Sequence, residues 1–125
     1  MADPRRLAKL TRPRPHEAMA RPRLFAMLDA ARASTIGWVA GPPGAGKTTL
    51  VSTYIESRGL RSTWYQVDAG DSDPAAFFYH LRLAIPRRTD ASRVPAFAPE
   101  HAADPAGFAR LFFRRFFAAL PCGTR

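Results

Sequence analysis

Residues 41–48 read Gly-Pro-Pro-Gly-Ala-Gly-Lys-Thr. Every fixed position of the phosphate-binding pattern G-x-x-x-x-G-K-[ST] is met. Each residue type has a chemical reason. Gly44 and Gly46 lack a Cβ, so backbone can close around a phosphate. The amides from about Gly44 to Thr48 can then point inward as an anion nest. A helix starting near Lys47 adds its positive N-terminal end. Lys47 is a mobile cation for β- and γ-phosphates, and Thr48 offers a hydroxyl to Mg²⁺. Pro42 and Pro43 stiffen the approach by fixing φ. The candidate nucleotide-binding residues are Gly41, Pro42, Pro43, Gly44, Ala45, Gly46, Lys47, Thr48 and Thr49. Thr48 is the candidate metal ligand, and ATP or ADP with Mg²⁺ is the expected ligand set. A plain glycine-proline turn would leave Lys-Thr at the helix start without a reason.

Such a loop needs a strand before it and a helix after it. Ile36 to Ala40 is a short apolar run suited to a buried strand. Residues 47–58 can form a helix with Leu50, Val51, Tyr54 and Ile55 on one stripe, Arg58 near its negative end and Gly59 as a left-handed cap. Pro22 starts an earlier helix over about 22–33, with Leu24, Phe25 and Leu28 on its apolar face. Residues 62–67, with Trp64, Tyr65 and Val67, have strand propensity. An acidic turn follows at Asp68, Asp71 and Asp73. Asp73-Pro74 and Asp104-Pro105 each pair a capping carboxylate with proline at the first helical position. The first opens a helix carrying Phe77, Phe78, Leu81 and Ile85. The second opens one over 105–119 with Phe108, Leu111, Phe112, Arg115, Phe116 and Leu120 near one side, widened by Phe113 and Phe117. That spacing reads as a core helix facing a sheet rather than a partner groove. The fold class expected is α/β: a phosphate-loop NTPase with parallel strands and flanking helices, an incomplete three-layer core.

The 125 residues suit one small domain, and 46% apolar and 23% charged are ordinary proportions. Of twelve prolines, six fall in 12–15 and 86–105, which marks those stretches as loops. Residues 1–20 form a basic, proline-broken lead-in, and 21–125 carry the domain. The net charge of +9, from 19 basic and 10 acidic side chains, is spread along the chain and reads mainly as a solvated surface. Cys122 is the single cysteine, so no internal disulfide forms and a cytoplasmic setting is expected. No apolar run is long enough to cross a membrane. His16, His80 and His101 share no ligand spacing. Asp68, Asp71 and Asp73 lack calcium-loop spacing and a closing Glu. Asp68, at the end of a strand, is better placed to face a nucleotide.

Arg21-Pro22-Arg23-Leu24, the loop followed by Thr49-Leu50-Val51, and Trp64-Tyr65-Gln66-Val67-Asp68 occur in that order. Over about residues 5–120 this resembles the start of the ATPase module of STAND-class, AAA-like regulators, the LuxR-type (MalT-like) transcriptional regulators. The resemblance implies an ATP switch, self-association, and DNA contact through a C-terminal domain not found here. It also implies a Walker B strand ending in two acids. No such run is present, so the chain reads as an N-terminal fragment, with nucleotide binding and little or no hydrolysis. In the family's sheet the missing strands lie between 36–40 and 62–67. Both would lose their ladders, and Phe77, Phe78, Phe108, Phe112, Phe116 and Phe117 would stay partly wet. Two alternatives stay open. One is a basic module binding nucleic acid or protein without nucleotide. The other is a small phosphate-loop kinase, for which no arginine-rich lid with an acidic base is evident.

Overall fold

The computed structural model describes residues 7–14, 21–34, 36–87 and 89–120. Among the described residues there are four α-helices: α1 (Pro22–Ala31), α2 (Lys47–Ser57), α3 (Pro74–Leu83) and α4 (Pro105–Ala119). Short 3₁₀ turns lie at Ala8–Leu10, Ala69–Ser72, Ala91–Arg93 and Pro99–Ala103. The chain divides into two compact units, Pro13–Ser62 and the combination of Met1–Arg12 with Thr63–Arg125.

The α/β expectation is overturned. Among the described residues there is no strand and no sheet. Among the described residues, 36–40 and 62–67 run without ladder partners. A strand is stable only when its amides and carbonyls are paired, and among the described residues no ladder forms along either one. Ile36 is 80% exposed, Trp38 89% and Val67 70%. Among the described residues one backbone–backbone bond, Gln66 N–H to the Lys9 carbonyl at 2.8 Å, touches the second segment.

The helices follow their local signals. Asp73 accepts from Ala75 N–H at 3.3 Å, and Asp104 accepts from Gly107 N–H at 3.0 Å. Both satisfy amides that a helix start leaves open. At the end of α2, Gly59 N–H reaches the Glu56 carbonyl and Leu60 N–H the Ile55 carbonyl, with Gly59 at φ 59°. This is a Schellman closure.

In the unit containing α3 and α4, the core is Phe78, Leu81, Ile85, Val94, Phe108, Phe112 and Phe116. Phe112 is fully enclosed. Phe78 meets Phe108 edge-on at 4.8 Å and Phe112 at 4.9 Å. The core helix is therefore real, but it faces α3 and the 3₁₀ turns instead of a sheet. Phe78, Phe108, Phe112 and Phe116 are buried and Phe77 half-buried, so of the six rings expected to stay wet Phe117 alone is mostly exposed, at 65%. The proline-rich stretch after α3 contributes to this core. Val94 is buried, and Arg82 holds the carbonyls of Val94 and Ala91 at 3.1 and 3.2 Å.

In the unit containing α1 and α2, the buried rings are Phe25 and Tyr54, edge to face at 5.4 Å. Ser52, also buried, donates to the Pro13 carbonyl.

Candidate functional site: the glycine loop at the start of α2

The loop is built from its backbone upward. Ala45 N–H closes a turn on the Pro42 carbonyl at 3.1 Å. Gly44 and Gly46 then take φ of 79° and 85°, a region that costs an L-residue with a Cβ roughly 1–2 kcal/mol. The second of these puts Gly46 at the N-cap of α2. The helical ladder begins with Leu50 N–H on the Gly46 carbonyl at 2.8 Å. The amides of Lys47, Thr48 and Thr49 precede it, and among the described residues no side chain caps them. This contrasts with α3 and α4, whose starts are closed by aspartates.

Lys47 folds back over the loop. Its ammonium donates to the Gly41 carbonyl at 2.5 Å and to the Pro42 carbonyl at 3.2 Å. Thr48 and Thr49 are exposed on the first turn. The expected site residues 41–49 are thus contiguous around one helix start.

Beside the loop is a cavity of about 380 Å³, lined among others by Leu24, Leu28, Trp38, Val39 and Leu50, with Lys47 and Arg21 in its wall. Arg21 was not a sequence candidate for the site. A methyl group built on Gly46 would stand 3.9 Å from its Nη2. The basic residue immediately ahead of Pro22 was the available signal.

What holds α1 against α2 is a polar cluster that sequence reading missed. Arg58 donates from Nε and Nη2 to the two oxygens of Asp29, at 3.1 and 2.9 Å. Tyr54 donates its hydroxyl to the same carboxylate. Arg58 also lies over the rings of Phe25 and Tyr54, at 5.5 and 5.4 Å. The Arg58 hydrogen bonds, and then that of Tyr54, hold Asp29 down at about 2 despite some desolvation.

Asp68 and Asp71 are both engaged within their own unit. Asp68 accepts from Gly70 N–H at 2.9 Å and pairs with Lys9 at 3.1 Å. Asp71 is almost enclosed. It accepts from Asp68 N–H at 2.8 Å, the Tyr65 hydroxyl at 2.7 Å and Lys9 at 3.0 Å. Burial alone would raise its pKa; the Asp68 amide, Tyr65 and Lys9 outweigh that and bring it to about 2. Burial and the hydrogen bond to Asp71 push the Tyr65 phenol up to about 12. Among the described residues no group of three or more His, Cys, Asp or Glu side chains is placed to hold a metal ion. Cys122 and His16 lie outside the described residues.

With this geometry in place, comparison with known proteins points one way. The HTH-type transcriptional regulator MalT of Cronobacter sakazakii is 34% identical over 110 residues, 84% of this chain and 12% of that protein. MalT of Vibrio cholerae serotype O1 is 36% identical over 83 residues, 66% of this chain and 9% of that protein. This chain is similar to part of a transcriptional regulator. It spans 12% and 9% of the length of these two relatives. No family model matches the chain, and no solved structure matches it. Among the described residues no helix is long and apolar enough to cross a membrane.

Proposed function

We propose that residues 41–49 bind the phosphates of ATP or ADP, and that this chain serves nucleotide sensing within transcription regulation. The observation that carries the reading is the helix start itself. Two glycines in the left-handed region turn the chain into an uncapped α2, with Lys47 folded over the loop and held by carbonyls alone. Phosphate oxygens are better partners for an ammonium than neutral carbonyls, because both members of the pair are charged. Lys47 would exchange Gly41 and Pro42 for them, while the amides of Lys47, Thr48 and Thr49 would donate to the remaining phosphate oxygens.

The residues fit the ligand. Thr48 would hold Mg²⁺, which supplies charge neutralisation between phosphate oxygens when bound. Arg21 is near enough to Gly46 to reach the same anion. The neighbouring cavity has the volume and apolar lining of a small-molecule site, and Trp38 offers a ring face to a base. The similarity to MalT proteins supports the regulatory setting. Self-association and DNA recognition enter as properties of a longer regulator to which nucleotide binding here would be coupled.

Binding is proposed without turnover. Asp29 is committed to Arg58 and Tyr54, and Glu56 lies eight residues along α2 from Thr48, about 12 Å away along the axis. Neither can orient an attacking water at the loop. Titration calorimetry with Mg-ATP and Mg-ADP tests the reading. The expected affinity is about 10 μM to 1 mM, roughly −7 to −4 kcal/mol, and Lys47→Ala weakens it at least about tenfold. Equal affinity of the two proteins, at unchanged helicity by circular dichroism, removes the site.

A further inference from the structure

Helix α4 has two faces that do different work. Phe108, Phe112 and Phe116 point into the core. The opposite face presents Arg110 and Arg114, both exposed, together with Phe117 at 65% exposure, while Arg115, also exposed, and Leu111, at 39%, flank the core face. Residues 105–119 contain no acidic side chain. Asp104, at the helix start, is engaged with Gly107 N–H. Among the described residues none of the three arginines has an ion-pair partner.

Charged surface side chains usually alternate in sign; here three like charges sit on little more than one helical turn. Arg110 and Arg114 are one turn apart, about 6 Å along the axis, and Phe117 continues the same stripe at i+7. The rigid packing of the other face fixes where these groups stand. We propose that this face of α4 contacts a nucleic-acid strand through its phosphates, independently of base sequence and of the glycine loop. Guanidinium groups match phosphate oxygens in geometry, and an exposed aromatic ring beside them gives a base a stacking surface. A membrane surface is a poorer match, because an interfacial helix inserts its apolar face and α4 has already buried that face.

The test uses the full chain, without nucleotide, and fluorescence anisotropy with labelled 30-residue single-stranded and duplex DNA of mixed sequence. Two phosphate contacts on this face give a log–log salt slope near −2, so affinity falls about 12-fold between 50 and 200 mM KCl on duplex. The variant Arg110→Gln/Arg114→Gln/Arg115→Gln is expected to lose at least about tenfold at 50 mM and most of the slope. Arg14→Gln/Arg23→Gln/Arg61→Gln removes the same charge elsewhere and is expected to bind as the unmodified chain does. Equal losses in both variants would reduce the effect to net charge and overturn the proposal. So would undetectable binding to both DNAs, or arginine-dependent binding to phosphatidylserine vesicles in preference to DNA. Both variants change exposed positions, and circular dichroism confirms that α4 persists.

Discussion

Asp29 and Asp71 perform the same service in different units, each gathering a cation and a tyrosine hydroxyl on one carboxylate. Arg58 and Tyr54 meet on Asp29; Lys9 and Tyr65 meet on Asp71. Both carboxyls are lowered from 3.8 to about 2. A depressed carboxylate stabilises the fold above its unfolded pKa and loses that contribution as pH falls through the folded value. Stability is therefore expected to be level above about pH 4 and to decline toward pH 2. Thermal melts across that range check it. Asp71→Asn is expected to be less stable at neutral pH and to show a shallower acid decline, since one of the two titrating groups is gone. An unchanged decline would assign the acid sensitivity to other groups. None of these pairings was legible in the sequence. Lys9 and Asp71 are 62 residues apart, and nothing local tells a lysine in a proline-broken lead-in that it will be enclosed. The turn of the glycine loop into α2 was legible for the opposite reason: its glycines and the helix start lie within nine consecutive residues.

Helices and strands differed in legibility for a physical reason. The span 105–119 read from the sequence has the same bounds as α4, and Asp-Pro marked the starts of α3 and α4. Caps, prolines and i, i+4 spacing act within a single segment, so one segment carries enough information. A strand is a relation between two segments. The spans 36–40 and 62–67 have suitable residues and no ladder among the described residues, so propensity alone did not make them strands. The local caps also carry a measurable share of stability. Asp104→Ala removes the acceptor for Gly107 N–H and is expected to cost about 1 kcal/mol, read from a denaturant midpoint. His101 stabilises the turn before α4 through its Nδ1, which accepts from Ala98 N–H at 2.9 Å, and through its ring, 4.5 Å from Phe108. His101→Phe keeps the stacking area but leaves that amide without its acceptor. A loss of about 1 kcal/mol is expected, and an unchanged midpoint would show that water replaces the imidazole.

At the scale of the molecule, the two units differ in how much apolar packing they hold. One has a seven-residue core centred on Phe112; the other relies on Phe25 and Tyr54 with the Asp29 and Arg58 cluster beside them. Phe112→Ala is expected to cost about 3–5 kcal/mol and to abolish the cooperative melt of its own unit, followed by near-UV circular dichroism. Nucleotide is expected to stabilise the other unit, since a ligand that binds only the folded form raises its stability. These responses can be watched separately, because each unit carries one of the two tryptophans. Trp38, 89% exposed beside the loop, should emit like indole in water and be open to acrylamide. Trp64 is half-buried and should emit at shorter wavelength and resist quenching. Mg-ATP is expected to shift and shield the first emitter while leaving the second unchanged, and Trp38→Phe to erase that change. The unpaired segment that failed to become a strand thus gives the loop its own intrinsic optical reporter.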